Sequence, residues 1–197
     1  MQRLETPFGD RRVIALALVL VLAIAAILVV RAVGGGSEQD QAQGILEEGL
    51  QAHAQGDVAT AEEAYLRVIE LDPQNKFAYY NLGVISQGRG DLEGAEANYR
   101  TATEVDPDFV PALFNLAILQ AEAGATGDAI ELYEHIIDVN PDYAAAHLNL
   151  GFLLIEQGDE DRGREELDEA VRLDPTLEGR IGAEASPEES IEESPSP

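Results

Sequence analysis

The sequence predicts an all-α protein: a solenoid of helical hairpins, behind one transmembrane helix and ahead of a disordered acidic tail. Three observations carry this. The helix-ending tripeptides "LDP", "VDP", "VNP" and "LDP" place Pro73, Pro107, Pro141 and Pro175 34 residues apart, and self-similarity at a fixed period of that size marks a helical repeat array. Within each period, two runs of apolar residues at helical spacing flank a Gly-containing turn. Near the N-terminus, residues 13–30 form a run of 18 uncharged apolar residues bounded by Arg11, Arg12 and Arg31.

At about 1.5 Å per residue, that run spans roughly 27 Å, close to the hydrocarbon thickness of a bilayer. Arg31 can snorkel while Ala32 and Val33 extend the helix, so residues 13–33 are read as the anchor. A signal peptide has a shorter apolar core, about 7–15 residues, and a small-residue cleavage site. Cleavage stays open as the alternative. Arg3, Arg11 and Arg12 precede the span, and only Arg31 follows it before Arg67. The positive-inside rule then puts residues 1–12 in the cytoplasm and the rest outside, in the periplasm or at the cell exterior. No two alanines of the run lie four apart, so no small-xxx-small dimer motif appears. Residues 34–41, opening with "GGGS", read as a linker.

The period divides the chain into blocks 42–75, 76–109, 110–143 and 144–177. In the second block, Tyr79, Leu82, Gly83 and Ser86 share one face of a first helix, and Ala95, Tyr99 and Ala102 one face of a second. The others supply Ile45, Gly49, Ala52 with Ala61, Tyr65, Val68; Leu113, Leu116, Ala117 with Ala129, Tyr133, Ile136; and His147, Leu150, Gly151 with Gly163, Leu167, Ala170. Small residues recur where helices must approach, large ones where gaps must be filled. Arg89-Gly90-Asp91 spells an adhesion tripeptide, but Gly90-Asp91 falls in the same turn as Gly56-Asp57 and Gly158-Asp159. Glycine there ends the first helix and aspartate caps the second. Past the last block, "TLEGRIGAEA" could start a short capping helix, which Gly179 and Gly182 weaken, and residues 178–197 are read as an acidic, Pro/Ser-rich disordered tail.

The period, the "NLG" core, the Ala-x-x-x-Tyr of the second helix and the terminal Asp/Asn-Pro resemble the tetratricopeptide repeat family over residues 42–175. The resemblance implies a right-handed solenoid of four repeats. The departures are the absence of Trp, Glu47-Glu48-Gly49 in place of "NLG", and Gly163 where alanine is usual.

A formal charge of −26, from 12 basic and 38 acidic residues, argues against nucleic acid, whose phosphates need clustered Lys and Arg. It argues equally against adsorption to anionic lipid headgroups, and a salt-rich habitat is a second explanation of the acidity. Without cysteine there are no disulfides, thiolate metal sites or cysteine nucleophiles. His53, His135 and His147 fall at different block positions, with no metal-binding spacing. "GGGS" lacks the Lys-Ser/Thr of a phosphate loop, and the carboxylates spread over outward faces rather than pairing in a cleft. No enzyme, cofactor or metal is expected.

What remains is a groove. The resemblance implies that first helices line a concave side where partners bind, and the inward candidates are Leu46, Leu50 and His53; Tyr80, Val84 and Gln87; Phe114, Ile118 and Ala121; Leu148, Phe152 and Ile155. Exposed apolar patches of that extent mark binding sites. Asn81, Asn115 and Asn149 form a ladder at the same period; an amide offers donor and acceptor to an extended peptide, or else bonds neighbouring helices. Relatives that clamp a C-terminal carboxylate use Lys and Arg beside such asparagines, and here Lys76 is the only lysine. The expectation is a membrane-anchored scaffold that binds an extended or unfolded protein segment on the extracytoplasmic side and assists envelope-protein assembly. The alternatives are a self-assembling structural protein and a cytosol-facing receptor for targeting peptides.

Overall fold

A computed structural model describes residues 37–184. Among these, regular structure is wholly helical. The elements are α1 (Glu38–Ala54), α2 (Val58–Leu71), α3 (Lys76–Gly88), α4 (Leu92–Val105), α5 (Val110–Glu122), α6 (Thr126–Val139), α7 (Ala144–Glu156), α8 (Glu160–Leu173), a 3-10 turn (Pro175–Leu177) and α9 (Glu178–Glu184). They fall into two compact units divided between Pro73 and Gln74, with α1 and α2 in the first and α3 to α9 in the second.

The hairpin turns have one chemistry. Gly56, Gly90, Gly124 and Gly158 sit at φ of 81°, 79°, 77° and 91°, the left-handed region that a missing Cβ opens. Asp57, Asp91 and Asp159 follow, and their carboxylates accept the backbone N–H of Thr60, Gly94 and Arg162. In the third turn Ala125 makes no such bond. Thr60 donates both its hydroxyl and its N–H to Asp57, which holds that carboxyl below its usual range. Gly90 and Asp91 of the tripeptide therefore serve helix ends, as their counterparts do.

In the second unit the expected faces meet. Ala95, Tyr99, Ala102, Ala129, Tyr133, Ile136 and Ala170 are at most 1% exposed. Opposite them Leu82, Gly83, Leu113, Leu116, Ala117, His147, Leu150 and Gly151 are buried, while Tyr79 and Ser86 are only half-buried. One cluster joins Leu113 and Ala117 of α5, Tyr133 and Ile136 of α6, and Leu150 and Leu154 of α7. The second helix of one hairpin thus packs on the first helix of the next. In the first unit Gly49, Ala52, Ala61, Tyr65 and Val68 are buried and Ile45 is half-buried.

Close approach explains the small residues. A Cβ on Gly83 would lie 2.5 Å from the Tyr99 ring. In the last hairpin Leu167 replaces tyrosine and the backbones themselves converge: a Cβ on Gly163 would lie 2.8 Å from the carbonyl oxygen of Gly151. That contact accounts for glycine where alanine is usual.

Two boundaries differ from expectation. α1 starts at Glu38, so residues 38–41 are helix, not linker. A reciprocal capping box starts it: the Ser37 hydroxyl accepts the Asp40 N–H at 3.2 Å, and Asp40 accepts the Ser37 N–H at 2.9 Å. At the other end residues 178–184 are helical rather than tail. Leu177 and Ile181 pack on Leu148, Leu167 and Ala170, which overrides the two glycines of that stretch. The anchor at 13–33, the linker's first residues and the tail from 185 onward lie outside the described residues. Among those described, no helix is long and apolar enough to cross a membrane.

Gly163→Ala is expected to lower stability by about 1–3 kcal/mol through overpacking. Gly44→Ala, mid-helix with nothing within 4 Å of the new Cβ, should raise it by about 0.5–1 kcal/mol. Urea denaturation of the two variants beside the parent checks both signs.

Candidate partner-binding groove

Tyr80 of α3 and Phe114 of α5 sit where the sequence places the strongest groove contacts, yet each is half-buried in a cluster of rings. Tyr80 lies 5.9 Å from Tyr99 and 5.6 Å, edge-on, from Phe109. Phe114 lies 5.8 Å from Tyr133 and 5.3 Å from Tyr143. Tyr80, Tyr99 and Phe109 become Phe114, Tyr133 and Tyr143 one period on, then Leu148, Leu167 and Leu177. The third set forms an aliphatic cluster in the same way. Phe109, Tyr143 and Leu177 are absent from the sequence-derived faces, although each stands two residues after a period-marking proline. They close the triads.

This sorts the candidates. Leu148 is 1% exposed and Leu46 4% exposed, so both are packing residues and do not belong to the groove surface. Leu50, in the first unit, is 44% exposed. Val84 packs on Ala95, Tyr99, Leu116 and Leu119, and Phe152 and Ile155 lean on the Leu148 cluster. Ile118, half-buried, enters none of the clusters just named. It lines a depression of about 220 Å³ between α5 and α7, with Ala121, Glu122, Asn149, Phe152 and Leu153, and with Tyr133 of α6 beneath. Glu122, Leu153 and Tyr133 were not among the candidates.

Two of the three ladder asparagines bond neighbouring elements. The Asn149 Nδ2 donates to the Tyr133 hydroxyl at 3.0 Å, and Asn115 hydrogen-bonds the hydroxyl of Tyr99. Tyr99 in turn donates to Gln87 Oε1 at 2.8 Å. Asn81 donates to the Phe77 carbonyl of its own helix at 2.7 Å. Tyr99 and Tyr133 are both pushed up to about 12 by burial, partly offset by these asparagines. The Asn149 bond uses one of the amide's hydrogen-bonding positions, and the side chain still faces the depression.

Lys76 and the histidines make contacts within the fold. Lys76 pairs with Asp106, lowering that carboxyl, and lies over the rings of Phe77 and Phe109 at 5.2 and 4.9 Å. His147 is buried, with Nδ1 2.6 Å from Glu166 Oε2 and Nε2 2.9 Å from the Pro141 carbonyl, tying α7 to α8 and to the loop before it. His135 meets the Pro107 carbonyl at 3.1 Å, and His53 packs edge-on against Tyr65. Among the described residues, no three His, Asp or Glu side chains converge as a metal site would require.

Four models of the tetratricopeptide repeat match the chain, at residues 49–75, 64–97, 86–138 and 120–180. Residues 49–180 are tetratricopeptide repeats. A crystal structure of MamA has the same fold, at 21% identity over 75% of this chain and 84% of that one, with a TM-score of 0.62. A tetratricopeptide repeat protein from Parabacteroides merdae is 24% identical over 69% of this chain and 54% of its own, with a TM-score of 0.62. Pseudomonas aeruginosa PilF is 19% identical over 71% and 64%, with a TM-score of 0.61. No curated protein matches the sequence. The fold is that of a protein-interaction scaffold.

Asn149→Ala leaves the Tyr133 hydroxyl short of a partner, at an expected cost of about 1–3 kcal/mol, and moves Tyr133 ionisation further up. Alkaline titration reads both effects. Tyr99 and Tyr133 ionise near 12 when folded, against about 10 unfolded. The unfolded chain therefore loses these protons first. Their contribution to stability is complete below about pH 10 and is lost as pH rises towards 12. Denaturation midpoints and phenolate absorbance across that window should fall and rise together.

Proposed function

We propose that this protein is a membrane-anchored scaffold of four 34-residue tetratricopeptide repeats (42–75, 76–109, 110–143 and 144–177). Residues 13–33 hold it in the bilayer with the repeats on the extracytoplasmic side. There it binds an extended segment of another protein along α3, α5 and α7 and assists assembly of envelope proteins. It acts by holding rather than by catalysis, and neither nucleic acid nor a cofactor takes part.

The observation that carries this reading is the apolar depression between α5 and α7. At about 220 Å³ it is smaller than the roughly 300–1,000 Å³ of pockets for drug-sized ligands. It suits one large side chain of a longer chain, the way a groove anchors a peptide. Ile118, Asn149 and Phe152 touch that side chain. Asn81 and Asn115, with the half-buried Tyr80, Val84, Phe114 and Ile155, form the rest of the track. Burying one large apolar side chain contributes about 1.5–3 kcal/mol, while micromolar binding needs about 8 after association costs. Several positions along the track must therefore be filled together.

A photo-crosslinking residue at Ile118, in the full-length chain in its membrane, is expected to capture a discrete protein. The same residue at exposed Asp138 of α6 should not. Equal capture from both positions would sink the groove reading, and capture of a second copy of this chain would favour self-assembly instead. Protease added to cells with the outer barrier opened should remove the repeats while residues 1–12 survive; survival of the repeats would reverse the topology.

A further inference from the structure

The groove reading leaves the chemistry of the partner open, and the charges around the depression narrow it. Residues 101–161 hold 13 acidic side chains and no Lys or Arg, and α5, α6 and α7 all lie inside that stretch. A helix C-terminus carries partial negative charge that a basic residue in the last turn usually offsets. None of α3, α5 and α7 has one. Instead α5 ends on Glu122 and α7 on Glu156, both exposed and one period apart. Glu122 lines the depression itself, and its charge is felt at the buried Tyr133 hydroxyl below.

Resting on the groove reading, we propose that the segment bound there is cationic: an apolar side chain fills the depression between α5 and α7, and flanking Lys or Arg residues meet Glu122 and the negative end of α5. Alternate residues of an extended strand are about 6.6 Å apart on one face, so a Lys beside the anchor reaches the rim of a depression this small. An acidic segment would meet the like charge of Glu122 and the negative end of α5 together. The same field speeds encounter with cationic chains and rejects anionic ones.

The test uses the full-length chain in detergent micelles and three fluorescein-labelled peptides: Ser-Lys-Lys-Phe-Lys-Lys-Ser, Ser-Glu-Glu-Phe-Glu-Glu-Ser, and Ser-Lys-Lys-Ser-Lys-Lys-Ser, which lacks the anchor. The first is expected to bind about tenfold or more tighter than either of the others by anisotropy, and to weaken as salt rises. Glu122→Lys, an exposed change compatible with folding, should cut that preference about five- to tenfold. Ile118→Trp, which fills the depression, should remove binding of the Lys-Phe peptide. Equal binding of the two Lys peptides, or binding indifferent to both substitutions, would reduce the effect to adsorption on an acidic surface and overturn the proposal. Absence of binding by the Lys-Phe peptide would overturn it too. If Lys-Phe and Glu-Phe peptides bind equally and Ile118→Trp abolishes both, the groove stands and the cationic partner falls.

Discussion

One buried ring in each of its first two hairpins organises the second unit. Tyr99 is fully buried, and four neighbours take their identity from it. Gly83 across the hairpin has no room for a Cβ, Gln87 accepts its hydroxyl proton, Asn115 of the next hairpin bonds the same hydroxyl, and the Tyr80 ring packs beside it at a tilt. One period on, Tyr133 repeats the arrangement with Phe114 and Asn149. Once Leu167 takes the place, the hydroxyl and its partners vanish and the helices close until glycine faces glycine. The covariation is mechanical: a flat ring keeps two helices apart at one point, and at Tyr99 and Tyr133 an asparagine of the following hairpin bonds its polar tip. Because each ring reaches only its neighbour, stability accumulates hairpin by hairpin.

That dependence decides how much of the molecule a sequence can disclose. The period, the turns and the small-residue positions were all legible, because each repeats a backbone requirement that few residue types meet: positive φ at Gly90, an N-cap at Asp91, close approach at Gly83. Direction was not legible. Periodicity assigns Tyr80, Phe114 and Leu148 to one column, but only the structure reveals that the column turns inward as the ring of Phe109 or Tyr143 is replaced by Leu177. The asparagines illustrate the same limit. Their spacing fits a ligand ladder and an internal brace alike, and the brace is what Asn115 and Asn149 form. Residues 178–184 look like tail in the sequence because two glycines lower intrinsic helix propensity, a local effect that docking of Leu177 and Ile181 overcomes.

The acidity is a surface property with little part in holding the fold together. Pairs such as Arg164 with Glu160 and Arg162 with Glu134 are mostly exposed, and exposed pairs contribute about 0–1 kcal/mol. A net charge of −26 repels itself, and salt within about 8 Å of each charge relieves the strain. The chain therefore accepts an electrostatic cost at the surface, while its core, triad by triad, is neutral. A cost of that kind is intelligible when the surplus charge also selects what approaches the groove.

Residues of the proposed groove would answer to the fold and to a partner at once, and the structure shows which of them the fold already occupies. Tyr80 and Phe114 hold their own hairpins through ring contacts, so replacing them would loosen the array along with any ligand, and lost binding would not tell one cause from the other. Ile118 is different. It is half-buried and faces the depression, while the neighbouring Leu113, Leu116 and Ala117 carry the packing of α5. A helix in an array has three sides to satisfy: its partner, the next hairpin and solvent. On α5 the solvent side carries an isoleucine and ends in a glutamate. Two apolar sides suffice for the fold, so the third is what remains for a partner to use.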